Sequence, residues 1–545
     1  MSAIRISLLL LELAATTLGC NRATPVGLEP GVPDPSPGDG SILATVADMK
    51  MDLGEKKPKG KFTIGKETTY VTGPLYKYGY INYQAALNER LRRGATPENN
   101  ACVLLWKAIG PHPQWSRINK GHFEALGMQA PPEKGDYYVD FSSYVKRELK
   151  IQGKERIEQL ENHLNRAGKR PWSANEHPQV AAWLKANENP LAIIIEATKR
   201  THYFSPSTSS GDLLGKYMPE STACREWGKA LVARAMLRVN DGRIDEAWQD
   251  LLACHRLGRL CGGGGTLIEC LLSFAIETMA SNADLAFLER ADVDAKRVRG
   301  CLRDLQALSP LPQPADAVDL AERFSFLEEI MLIDRHGIPY LERLSTVGPE
   351  KAPTELQKHL LDDVDWDQGL RNANRWYDRI VAAMRQNEYS MRAKQLEQIH
   401  GDLKAMKKRL LERDLIKLLG DAKNKGEVVC DLSFLLLIPS ATKVQEAADR
   451  VEQSKRNLHI AFALAAYQRE NGRYPPTLDA LTPKYLAKIP NDLFTGAPLI
   501  YRPSEKGFLL YSVGPNGKDD EGCGTDDDPK GDDLAIRMPP PKPKN

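Results

Sequence analysis

The sequence predicts a mainly α-helical body followed by a small α+β C-terminal domain, a long helix plus an antiparallel hairpin. Three observations carry that reading. Apolar residues recur at three- and four-residue spacing through most of the chain, as on one face of a helix. The stretch YQRENGRYPPTLDAL, Tyr467–Leu481, stops a helix at Asn471-Gly472 and bars its continuation with Pro475. Beyond it, Leu499–Arg502 and Phe508–Ser512 read as two strands joined by a five-residue loop.

A chain of 545 residues has room for roughly two to four domains. With 42% hydrophobic and 27% charged residues it has the composition of a globular protein. Lys plus Arg number 74 against 72 for Asp plus Glu, so no basic excess points to nucleic acid.

The first segment, 1–20, reads MSAIRISLLLLELAATTLGC: a positive Arg5, an apolar run from Ile6, then small residues, the layout of a secretory signal peptide. It ends on Gly19-Cys20 and resembles a bacterial lipoprotein signal, which implies Cys20 as the lipidated residue. Glu12 within the run and Thr17-Leu18 before Gly19 depart from that pattern. Residues 21–50 are rich in Pro and Gly and read as a flexible tether. The expected address is outside the cytoplasm: periplasm, membrane-anchored lipoprotein or cell surface. Of the nine cysteines, Cys102, Cys254, Cys270 and Cys301 lie in apolar helical patterns, where buried free thiols are expected.

From 51 to 220 a mixed, mostly helical region is expected. ATPENNACVLLWKAIG offers Thr96 as N-cap and Pro97 as first helical residue. Ser173-x-x-Glu176 has capping-box spacing and precedes two short helices separated at Asn189-Pro190. Residues 221–345 form a helical-hairpin domain: Leu231, Ala235 and Val239 share a face, Asn240-Asp241-Gly242 turns, and Ile244, Ala247, Leu251 and Cys254 return. GRIDEAWQDLL resembles a tetratricopeptide opening, but in one copy only, so a local helix pair is expected. Residues 346–428 hold a linker and long charged helices. One helix is expected from about Trp366 to Leu419, with a heptad seam at Leu396, Ile399, Leu403, Met406 and Leu410 that suits an antiparallel helix pair.

Several patterns point to chemistry and are better explained without it. Asp363, Asp365 and Asp367 have the spacing of a calcium-binding hand, yet Gln368 stands where Gly is required and Asn374 where the bidentate Glu belongs. Helix caps are the expected role. The run Gly262–Gly265 lacks the Lys of a phosphate loop and follows a helix. Glu328, Glu329, Asp334 and His336 are the strongest enzymatic candidates, set against a surface Glu pair and a helix-terminal His. No nucleophile elbow is present.

The last segment, 429–545, holds a long amphipathic helix with Val444, Ala448, Val451, Leu458 and Ala465 near one stripe, then the hairpin, then eight acids between Pro515 and Asp533. ALAAYQRENGRYPPTLDAL, the Leu-Ile-Tyr strand and FLLYSVGPNGKDDEG together resemble the globular domain of type II secretion major pseudopilins. LLLIPSATKVQEAADRVEQSKRNLHIAFALAAY is similar to the helix of pilin-like exported proteins, and the whole chain resembles exported planctomycete-type proteins. The likeness covers roughly 432–537 and implies a pseudopilin-like, α+β module. The helix here is internal, its apolar part is short, and no prepilin motif precedes it, so what is implied is a head and not a polymerising subunit. The family holds calcium in the acidic loop after its last strand. The resemblance carries that to Asn516, where the family has Asp, and to Asp533, with Asp519 and Asp520 as further metal candidates. A solvated acidic tail is the other reading of the same residues.

The function expected is an exported envelope binding or scaffold protein, lipid-anchored if processed at Cys20, with a calcium-stabilised head. Its partners would be an envelope protein or secretion component, and the membrane through the N-terminal lipid, with no nucleic acid. The alternatives are an envelope hydrolase with its site in the helical body, or an accessory component of a type II secretion-like apparatus.

Overall fold

A computed structural model describes residues 61–112, 120–207, 213, 219–337, 363–412, 422–437 and 439–539. Residues 1–50, where a signal peptide ending at Cys20 and a tether are expected, lie outside them. The chain is mainly helical, with a small three-stranded antiparallel sheet at its C-terminal end.

The body begins with α1 (Tyr83–Leu91), α2 (Ala101–Ile109), α3 (Lys120–Leu126), α4 (Phe141–Arg147), α5 (Lys154–Ala167), α6 (Pro178–Ala186) and α7 (Glu188–Thr198). Two starts differ from expectation. Thr96 and Asn99 bond each other's backbone in a turn, and α2 opens instead on Asn100, whose side chain accepts from Cys102 N and also bonds both backbone groups of Phe204. A cap that also ties down a distant segment outcompetes one that does not. Likewise Ser173 and Glu176 close a turn, Glu176 pairs outward with Arg170, and α6 starts at Pro178. The break between α6 and α7 falls at Asn187, with Pro190 inside the first turn of α7, where its missing N–H costs nothing.

The helical hairpin matches its sequence pattern. Helix α8 (Pro219–Asn240) turns through Asp241-Gly242 into α9 (Ile244–Cys261). Buried Asp250 locks the pair, taking two bonds from Arg234 at 3.0 and 2.7 Å and one from Arg238 at 2.6 Å. The four-glycine run is a short turn, with no room for a side chain at Gly264 because the Glu269 carboxylate fills that space. Glu269 and Thr266 form a capping box that starts α10 (Leu267–Arg290). By length and hydropathy α10 is apolar enough to cross a membrane, but two thirds of its most apolar stretch (67%) is buried among neighbouring helices. Next come α11 (Ala295–Gln306) and, after a short turn and a π-helical segment, α12 (Arg323–His336).

The expected single helix 366–419 is two: α13 (Trp366–Met384) and α14 (Tyr389–Glu412). Between them Arg392 reaches back to Gln386 O at 2.5 Å and pairs with Asp449 at 2.7 Å, fixing the reversal. The seam residues Ile399, Leu403, Met406 and Leu410 are buried, as an antiparallel pair requires. Then α15 (Ala422–Leu437) and α16 (Pro439–Asn471) follow. Gly472 ends α16 with φ +73°, the left-handed conformation that only glycine takes freely.

Strands β1 (Ile500–Pro503), β2 (Phe508–Ser512) and β3 (Leu534–Met538) pair antiparallel in that order. The third strand was not legible as a strand beforehand. One face of α16 covers the sheet: Asn457 donates to Leu534 O and Gln453 accepts from Leu493 N. Another face enters the body, where Phe462 stacks on Trp248 and Arg469 donates to Leu288 O and Val293 O, each at 2.8 Å. Body and sheet therefore share one continuous apolar core.

Candidate functional site: a carboxylate cluster between the last two strands

The chain between β2 and β3 doubles back on itself as an acidic loop. Buried Asp492 holds its entrance, accepting from Val513 N at 3.0 Å and Phe494 N at 2.7 Å. Gly514 (φ +69°) then lies so close to Asp532 that a Cβ there would come within 2.3 Å of the Asp532 carbonyl oxygen. Asp533 N bonds to Cys523 O, and Gly531 N to Gly524 O, so the outgoing and returning limbs run side by side.

That closure gathers Asp520, Asp532 and Asp533: one oxygen from each lies within 4.8 Å of the others. Asp520 Oδ2 accepts from Asp532 N at 3.0 Å and from Asn516 Nδ2 at 3.1 Å. Asp532 Oδ2 takes Asn516 N and an Arg450 guanidinium from α16 at 3.3 Å. Asp533, only 3% exposed, accepts Gly522 N at 2.7 Å through Oδ2. The remaining oxygens, Oδ1 of Asp532 and Oδ1 of Asp533, are buried and have no hydrogen-bond partner.

Of the four residues expected at a metal site, Asp520 and Asp533 are in the cluster. Asn516 braces it from outside through Asp520 and Asp532. Asp519 turns away, accepting from Tyr511 OH and Glu521 N. Asp532 was missed, although the Asp532-Asp533 doublet just before an apolar run was the signal.

Burial raises the Asp533 carboxyl to about 6, with nearby Asp520 and Asp519 adding to the rise and the Gly522 N–H opposing it. The Asp532 carboxyl is also raised, by burial first, while Arg450 pulls it down. Both shifts have the same physical origin: negative charge held out of water with too few donors.

A hard divalent cation fits this set. Calcium takes oxygen ligands at roughly 2.3–2.6 Å, so oxygens on one ion lie within about 5 Å of each other. Two buried carboxylate oxygens with no protein donor are what a cation would satisfy.

Four of the other candidates, Glu328, Asp334, Asp365 and Asp367, hold parts of the helical body together. Glu328 and Glu329 are buried and not a surface pair, and Glu328 accepts Leu213 N at 2.6 Å. Asp334 takes Tyr80 OH and Trp366 Nε1, at 3.0 and 2.8 Å, pinning α12 to its neighbours. Asp365 caps α13, and Asp367 accepts Thr63 N. A hollow of about 250 Å³ on α13 is lined by Asn372, Arg375, Trp376 and Arg379, a cationic and aromatic set. No protein-family model, curated protein or solved structure matches this chain.

Proposed function

We propose that the chain is an exported binding or scaffold protein of the cell envelope whose C-terminal, pseudopilin-like head is stabilised by calcium at Asp520, Asp532 and Asp533. The observation that carries this reading is the pair of buried, unpartnered carboxylate oxygens inside a closed loop of the sheet. A helix laid across a three-stranded antiparallel sheet supports the likeness to pseudopilin heads, while the acidic loop departs from it by preceding the last strand, where the resemblance implies a loop that follows it. Attachment through Cys20 would place the body and head at a membrane surface.

Calcium at this position joins the two limbs of the loop and so contributes stability to the whole sheet. A ligand that binds only the folded state stabilises it by about 2.7 kcal/mol at a hundredfold excess over Kd. The test is thermal unfolding of the full-length protein in calcium and in chelator. Calcium is expected to raise Tm by several degrees, and Asp533→Asn and Asp532→Asn are expected to abolish the rise. An identical Tm in both conditions overturns the calcium reading. Fractionation of cells, with the mass of the mature N-terminus, tests export and lipidation together.

A further inference from the structure

We infer that Arg450 is a tethered competitor at the carboxylate cluster: its guanidinium holds Asp532 in place of a divalent cation and so sets the affinity of the site. This rests on the reading of the loop as a calcium site and adds to it the residue that tunes that site.

Arg450 projects from α16 and, among the described residues, is the cation paired with a member of the trio, through Asp532 Oδ2 at 3.3 Å and the Asp532 carbonyl at 3.4 Å. Arg502 approaches Asp519 instead, 4.0 Å away and outside the cluster. Both Arg450 contacts are long beside the roughly 2.7–2.9 Å of a firm charged hydrogen bond. The preceding residue, by contrast, is anchored firmly: Asp449 is buried against Arg392 at 2.7 Å and Gln445 at 3.0 Å. The helix backbone is thus fixed at this point, so the Arg450 charge stays tethered within reach of the cluster when a cation arrives. Three carboxylates faced by one loosely held guanidinium leave a net attraction for a divalent ion, and the guanidinium reduces it.

The sign of the effect separates this role from a merely structural one. If Arg450 only props the loop, removing it loosens the ligands and weakens cation binding. If it competes, removing it strengthens binding. The test is calcium titration of the full-length chain against a competing chelating dye, for wild type, Arg450→Gln, Arg450→Met and Arg450→Lys. Both neutral variants are expected to bind about tenfold more tightly, the order for one unit charge removed beside a divalent ion in a solvent-screened site. Arg450→Lys, which keeps the charge, is expected to stay near wild type. Equal or weaker binding by both neutral variants overturns the competitor role while leaving the calcium site standing. Calcium uptake by none of the four proteins overturns the site itself and the inference with it.

Discussion

His255 on α9 is fully buried, and both of its ring nitrogens meet carboxylates from α10: Nδ1 lies 2.9 Å from Glu277 and Nε2 2.8 Å from Asp284. With a proton on each nitrogen the ring, as imidazolium, donates to both carboxylates. Burial alone pushes His255 down, but the two carboxylates outweigh it and hold the group up at about 9. Burial likewise pushes Glu277 up, and His255 with Arg259 overcomes this to bring it to about 2. Asp284 is raised, because burial wins and its Oδ1 has no partner. Nearby on α16, burial and then Lys455 lower His459 to about 4. The signs follow from an unfolded histidine near 6.5. The raised His255 contributes stability that is complete below about 6.5 and is lost as pH rises through about 9. The lowered His459 contributes stability that is complete above about 6.5 and is lost as pH falls through about 4. The contribution of these two histidines is therefore greatest near pH 6.5, and its alkaline limb is expected in urea unfolding midpoints. His255→Gln is expected to cost about 3–5 kcal/mol at pH 6.5, since it takes the charged partner from buried Asp284 while Glu277 keeps Arg259, and to flatten the alkaline limb. An unchanged alkaline slope would show that His255 is not the group responsible. None of this was legible in the sequence, because the partners stand 22 and 29 residues away on another helix. The acidic loop was partly legible for the opposite reason: its carboxylates crowd into one short stretch.

Between elements, α13 and α15 approach each other closely. A Cβ on Gly426 would lie 2.0 Å from Asp365 O, and one on Gly369 would lie 2.4 Å from Gly426 O, so these helices touch backbone to backbone. In an open helix position, glycine to alanine gains about 1 kcal/mol through backbone entropy. Here the clash reverses the sign. Gly369→Ala and Gly426→Ala are each expected to destabilise by roughly 2–3 kcal/mol, the usual scale of overpacking. Gly401 on α14 supplies the control: nothing lies within 4 Å of its would-be Cβ, and Gly401→Ala is expected to stabilise by about 0.5–1 kcal/mol. Thermal melts of the three variants check all three signs, and a stabilised Gly426→Ala would contradict the contact. Periodicity told where α13 and α14 bury their faces, yet it could not show that the helix breaks between them. The break is set by Arg392 reaching Asp449, a pairing across 57 residues. Thr96 lost its expected capping role to Asn100 in the same way, through a bond to Phe204 across 104 residues. Local signals fix the kind of element, and long-range polar bonds move its ends. The strand β3 went unread because LAIRM is short and acquires its identity only by pairing with β2.

At the scale of the whole molecule, α16 decides how the protein unfolds. Its 33 residues serve the sheet on one side and the body on the other. Toward the body, Leu464 and Ala466 are completely buried, Phe462 meets Trp248, and Arg469 caps the backbone end of α10 at Leu288 and beyond it at Val293. Toward the sheet, Asn457 and Gln453 bond each other at 2.7 Å and each holds a backbone group of the C-terminal domain. A helix with two buried faces cannot lose one partner and keep the other hydrated at small cost, because each face hides apolar surface worth about 25 cal/mol per Å². The sheet and the α8–α11 bundle are therefore expected to melt together. Tryptophan fluorescence reports the chain before the C-terminal domain, Trp227 and Trp248 of the bundle among its eight tryptophans, and a calcium-dependent shift reports the sheet, which contains no tryptophan in its strands. The prediction is that calcium moves the tryptophan transition itself, by the same increment seen in backbone circular dichroism. Arg469→Ala should lower that transition by about 2–4 kcal/mol, since it leaves two buried carbonyls unpaired. It should also begin to separate the two signals. Two transitions in the wild-type protein, only the lower one sensitive to calcium, would instead mean that α16 is split in energy between two independent units and that the head folds alone.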